Sequence, residues 1–363
     1  MTKNSDNPNI PPLPQQSIVQ ASAAQQQQLT LAQAFELAIA HQQNGNLAQA
    51  EQTLRQILQQ NPKHAPSLHL LGVIAHQSNQ TELAIKFIAD AIAINPTDAL
   101  FHSNRGEMCR ILGRLDGAID HGKQAIRLNP NSASALSNLG IAHYDNKDLD
   151  TAEKYQLQAL QVNPQCLPAL NNLGSIYRDK DDSDKDTAIE YYRKVISINP
   201  SYIESINNLG AVLVEQEKFE EAIATLIQVI KLNPNYAEAH CNIAHAFIGQ
   251  EKFDHALKGL EKAISLKEDY ADAYIGRARI QQELNQLDSA LISIKQALTI
   301  EPDNTDAHAV LGALCIENNQ LDIARSSFKK ALELDRTNGR ALIGLGTLKM
   351  QTGDTEEAES YFN

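Results

Sequence analysis

Tryptophan is missing from these 363 residues, and β-branched runs bounded by glycine are scarce. With Ala, Leu, Ile and Gln abundant, that composition favours helix. No basic cluster is longer than Lys329-Lys330, and the formal net charge is -13. A phosphate backbone or an anionic membrane would be repelled on average, which argues against nucleic acid as a partner. Nowhere do 18 apolar residues run together, so no membrane insertion is expected. The opening MTKNSDNPNIPPLPQQ lacks an apolar core of signal-peptide length. A cytoplasmic location is the expectation. The four cysteines, Cys109, Cys166, Cys241 and Cys315, lie more than 50 residues apart. Without a CxxC pair there is no metal knuckle or local redox motif, and free thiols fit a reducing compartment.

What is present is a period. Asn-Pro or Glu-Pro pairs place prolines at 62, 96, 130, 164, 200, 234 and 302. The gaps are 34 residues except for one of 36 and one of twice 34, whose missing beat falls at Glu268. Such a period signals a repeat array and overrides a domain count based on length. Rows starting at 31, 65, 99, 133, 167, 203, 237, 271, 305 and 339 give ten repeats, the last incomplete. Column 8 of this register holds only Gly or Ala, and column 20, counted past the two extra residues of the fifth row, is Ala in every row, from Ala50 to Ala358. Small columns let two antiparallel helices approach closely, which offsets the helix cost of Gly, about 1 kcal/mol relative to Ala. Apolar residues fall at helical spacing, as in Leu136, Leu139, Ile141 and Ala142 followed by Ala152, Tyr155, Ala159 and Leu160. Turns rich in Gly, Asn and Asp divide each row, and proline separates one row from the next. Each row is a helix–turn–helix too small to bury its own apolar face, so stacked rows must share one elongated core. Residues 1–28, with IPPLP and QQQQ, cannot build a core and read as a disordered lead. The chain stops at EAESYFN without a polar capping helix, which suggests a fragment or a longer natural product.

Small residue at column 8, Ala at 20, a bulky residue near 24, Ala near 27 and Pro at 32 resemble the tetratricopeptide repeat over residues 31–363. The resemblance implies an all-α, right-handed solenoid, or superhelix, that is non-catalytic and binds proteins or peptides. Departures are visible too. Column 4 carries His102, His240 and His308 in place of an aromatic, and Gly122 replaces the bulky residue at column 24. Column 11 has Gln281 and Lys349 in later rows. Rows three, eight and ten are therefore expected to pack less tightly.

Several apparent chemical motifs dissolve on inspection. GAIDHGKQ (117–124) matches a phosphate-loop pattern but ends in Gln124 and lies within an expected helix, where its amides are already bonded. The acidic insertion spaces Asp182, Asp184 and Asp186 like a calcium loop, yet Thr187 stands at the Gly position and Arg193 at the closing Glu. His69 and His76 share a helix face without an HExxH or an i,i+4 pair. No catalytic constellation, cofactor site or metal site is expected.

One column resists a structural explanation. Column 6 reads Asn104, Asn138, Asn172, Asn208 and Asn242 in five successive rows, against the helix propensity of Asn. A merely solvated face would mix Gln, Lys, Glu and Ser. Carboxamides carry donor and acceptor together and can pair with a peptide unit regardless of its side chain. By the family resemblance the first helices line the concave groove, so this column points inward as a peptide-binding ladder. Asn171 and Asn207 in column 5, with Arg110, Tyr144 and Arg178 in column 12, are expected to flank it. Adjacent helices roughly 10 Å apart would let five rungs accompany about twelve extended residues. The run before "LG" is similar to the repeat region of O-GlcNAc transferases and their plant and bacterial relatives. There the ladder holds substrate polypeptides for a C-terminal glycosyltransferase domain, which this chain lacks. The alternative reading is thus a substrate-recruiting arm of such an enzyme. Column 5 has Ser103, Ser137, Asn171, Asn207 and Cys241 where a two-carboxylate clamp needs Lys.

Overall fold

A computed structural model describes residues 29–180 and 184–352, and every regular element among them is an α-helix. The Pro- and Gln-rich lead 1–28, Asp182 of the acidic insertion and the segment around Ala358 lie outside the described residues. The helices come in pairs. They are α1 (Leu31–Gln43) and α2 (Leu47–Gln60), α3 (Ala65–Gln77) and α4 (Thr81–Ile94), then α5 (Ala99–Ile111) and α6 (Leu115–Leu128). There follow α7 (Ala133–Asp145) and α8 (Leu149–Val162), α9 (Leu167–Lys180) and α10 (Lys185–Ile198), then α11 (Ile203–Glu215) and α12 (Phe219–Leu232). Next are α13 (Ala237–Gly249) and α14 (Phe253–Leu266), α15 (Ala271–Glu283) and α16 (Leu287–Ile300), then α17 (Thr305–Glu317) and α18 (Leu321–Leu334). The last first-helix is α19 (Gly339–Thr352).

Local chemistry sets the ends. Asn61, Asn95, Asn163, Asn199 and Asn233 each turn the chain after a second helix by accepting the N–H two residues on, at 3.0–3.4 Å. Asp335 does the same for Thr337 at 2.9 Å, so the turn survives where Arg336 replaces proline. Column 15 closes eight of the described hairpins in the left-handed region, with φ between 55° and 75° at Gly45, Asn79, Gly113, Lys147, Glu217, Glu251, Asn285 and Asn319.

Packing explains the glycine column. A Cβ on Gly72, Gly140, Gly174, Gly210 or Gly312 would lie within 2.4–2.6 Å of the column-24 side chain opposite, namely Ile88, Gln156, Tyr192, Leu226 or Phe328. Glycine thus makes room for a large residue on the second helix. Row three solves the same problem in reverse. Its Gly122 has no side chain, and a Cβ on Gly106 would meet the Ala118 carbonyl at 3.1 Å and the Gly122 nitrogen at 3.3 Å. The two backbones close up, so this row does not loosen as expected. In row eight, Gln281 and Arg277 are bridged by buried Ser293, at 2.7 and 3.0 Å.

The column-4 histidines also acquire a role. His102, His240 and His308 reach the carbonyls of Pro96, Pro234 and Pro302 with Nε2 at 2.8–3.0 Å. Tyr274 donates from its hydroxyl to Glu268 at the missing-proline position, at 3.3 Å. In these four rows column 4 therefore ties the first helix to the turn before it.

Contacts group the chain into two compact units, up to Pro130 and from Asn131 onward. In the first, α1–α6, the core runs through Ala38, Leu54, Leu71, Ile88, Phe101 and Met108. In the second, a core runs from Leu136 through Leu173, Val212, Leu260 and Ile294 to Leu345. Within each unit a first helix touches the next first helix, whereas among the described residues no second helix touches another second helix. First helices therefore sit on the tight, inner side of the stack.

Candidate functional site

On that inner side the column-6 amides recur one helix after another. Asn138, Asn172, Asn208 and Asn242 belong to the second unit and Asn104 to the first, and all five are half-buried. Each occupies the sixth residue of its helix. Asn172 donates through Nδ2 to Ser137 Oγ at 3.3 Å, Asn208 to Asn171 Oδ1 at 3.4 Å, and Asn242 to Asn207 Oδ1 at 3.1 Å. In the first unit Asn104 lies 2.8 Å from His69 Nε2. Burial pushes His69 down to about 4, opposed by Asp98, so that ring is a neutral acceptor. In these four rows column 6 donates to column 5 of the row before.

Column 5 therefore differs from its expected place. Ser137 is 1% exposed and Asn207 7%, buried in the seam between successive first helices rather than flanking an open groove. Asn171 is half-buried, and its Oδ1 also accepts the Ser205 hydroxyl at 2.7 Å. These side chains orient the rungs. Among the described residues nothing else takes up the carbonyl oxygen or the second amide hydrogen of Asn172, Asn208 or Asn242. Each of these rungs is half-satisfied and held in one orientation.

Column 12 is already engaged. Arg110 grips Glu107 at 2.7 and 2.9 Å, Arg178 grips Glu215 at 2.5 and 2.8 Å, and the Tyr144 hydroxyl donates to Asp179. Burial and that carboxylate push the Tyr144 phenol up, so it stays a proton donor. The arginines are neutralised in place and do not make the face basic.

Other sequence features resolve simply. GAIDHGKQ lies inside α6, so its backbone is spent on the helix. Asp186 accepts from Gln216 at 3.0 Å. His76 contacts Thr81 Oγ1 at 3.2 Å while His69 faces Asn104, so the two do not converge. Among the described residues no three His, Cys, Asp or Glu side chains gather as a metal would require, and no helix is long and apolar enough to cross a membrane.

Comparison with known families agrees with this architecture. A tetratricopeptide-repeat family model matches residues 36–105, 247–314 and 316–363, together more than half of the chain. The chain belongs to the tetratricopeptide-repeat family. Two further tetratricopeptide-repeat models match 167–202 and 132–163, and a TPR-repeat model matches 106–147 and 210–251. Among curated proteins nothing matches. Tetratricopeptide repeats generally mediate protein–protein contacts and are typically non-catalytic scaffolds. The family models describe the repeat in general and do not single out a ladder-bearing branch.

Proposed function

We propose that the inner face of residues 131–352 binds an extended polypeptide segment, with Asn138, Asn172, Asn208 and Asn242 contacting its main chain. One observation carries the reading: Asn172, Asn208 and Asn242 each spend one N–H on the preceding hairpin and keep a carbonyl and an N–H for a peptide unit. Because the amide is already oriented, little rotamer entropy is lost when a partner arrives. Asn171 and Asn207 act as positioning acceptors, and Tyr144 and Arg178 border the face. In the first unit Asn104 offers the same chemistry beside Arg110. Net gains of roughly 0.5–1.5 kcal/mol per hydrogen bond imply modest, about micromolar, affinity. A recruiting arm for a glycosyltransferase would use the same contacts.

Selection of displayed random dodecamers on the full chain tests this. The triple variant Asn172→Ala, Asn208→Ala, Asn242→Ala should keep its helical signal and lose at least tenfold in affinity for the selected peptides. Unchanged affinity would remove the groove reading.

A further inference from the structure

The first helices of the second unit are charged asymmetrically, and the second helices are not. In α7–α17 every acidic residue of a first helix falls in one of two columns. Column 2 holds Glu204, Glu238, Asp272 and Asp306, and column 13 holds Asp145, Asp179, Glu215, Glu283 and Glu317. The intervening second helices α8–α18 carry eleven acidic and eleven basic residues. Among these helices the negative excess therefore belongs to the first helices, whose acids are opposed by only Arg178, Lys180, Arg277 and Arg279.

Helix electrostatics account for only half of this pattern. Acids in a first turn are favoured by the helix dipole, which suffices for column 2. Column 13 lies in the last turn, where the same dipole disfavours acids and prefers Lys or Arg. Five of the six first helices from α7 to α17 nonetheless carry an acid there. Nor do local cations absorb them all. Arg178 is committed to Glu215, Arg279 to Asp306 at 2.5 and 2.7 Å, and Lys180 to Asp150 and Glu153 of α8. Glu204, Asp272 and Glu283 have no ion pair or hydrogen bond among the described residues. Burial, with Glu301 and Asp306 nearby, raises the Asp272 carboxyl and outweighs the opposing pull of Arg279 and Lys267.

We propose that the segment bound on this face is basic, its Lys or Arg side chains reaching the two acidic columns while its backbone follows the amide rungs. The inference rests on the groove reading and adds the chemistry of the partner. Four residues separate column 2 from the rungs and seven separate the rungs from column 13, about 6 and 10 Å along a helix. A lysine reaches roughly 6 Å from its backbone and a glutamate meets it partway, so both columns lie within range of a strand on the rungs. At α19 column 2 becomes Arg340, which ends the acidic stretch. The basic residues of the partner therefore lie opposite α11–α17.

Labelled dodecamers of Gly, Ser and Ala bearing four Lys, four Glu or four Gln provide the test, with fluorescence anisotropy on the full chain. The Lys peptide should bind about tenfold tighter than the Gln peptide, and the Glu peptide weakest, with the advantage fading in 0.5 M salt. Glu204→Gln, Asp272→Asn, Glu283→Gln together should abolish the Lys advantage. A control with Glu190→Gln, Glu261→Gln, Asp288→Asn on second helices removes as much charge and should preserve it. Equal loss in both triple variants, or none in either, overturns the basic-partner inference. If the Gln peptide still weakens in the rung variant, the groove reading survives that failure. Absence of binding by all three peptides at 1 mM overturns both.

Discussion

His69 and His121 are bases kept neutral by their surroundings. Burial pushes both down to about 4, with Arg105 and His102 adding to the effect at His121. His121 Nδ1 faces His102 Nδ1 at 3.2 Å, and His102 in turn is bonded to Pro96. An unfolded histidine takes its proton near pH 6.5, so between pH 6.5 and 4 the unfolded chain binds protons the folded one refuses. Stability is complete above 6.5 and falls as pH drops through that window, by up to about 1.4 kcal/mol per pH unit for each ring. Thermal melts at pH 7.5, 5.5 and 4.5 should show this loss, and His121→Leu should make it shallower. At this scale the sequence was partly legible. The file of asparagines stood out because Asn is a poor choice in a helix. That Ser137, Asn171 and Asn207 accept from these rungs stayed hidden, because the seam that joins column 6 to column 5 depends on how one hairpin sits upon the next.

At the scale of the element, column 15 carries the clearest liability. Lys147, Glu217 and Glu251 adopt φ near 60°, a conformation that costs a residue with a Cβ about 1 kcal/mol relative to Gly. Gly45 and Gly113 occupy the same position in the first unit without that cost. Glu217→Gly and Glu251→Gly should each stabilise the protein by about 0.5–1 kcal/mol, raising the urea midpoint without changing the slope. The 34-residue period exposed hairpin, turn and register before any coordinates, since a repeated motif samples the same packing ten times. It did not reveal that Gly122 draws α5 and α6 together, because a missing side chain can mean either a void or a closer approach. Nor did it show the column-4 histidines tying down proline carbonyls, a bond that spans two rows.

On the scale of the whole molecule, the hairpins within each unit lean only on their neighbours, so damage should stay local. Gly174→Ala forces a Cβ to within 2.5 Å of the fully buried Tyr192 ring and should cost about 1–3 kcal/mol. Hydrogen exchange should quicken in α9, α10 and the hairpins beside them while α15–α18 keep their protection. Uniform acceleration would mean that the second unit unfolds as a single cooperative body. The seam between first helices has a mechanical side as well. Every amide from Asn172 to Asn242 is aimed by the hairpin before it, so stretching the stack would unhook the very groups that a guest must meet. Tension along the array and occupancy of its inner face are thereby set against each other.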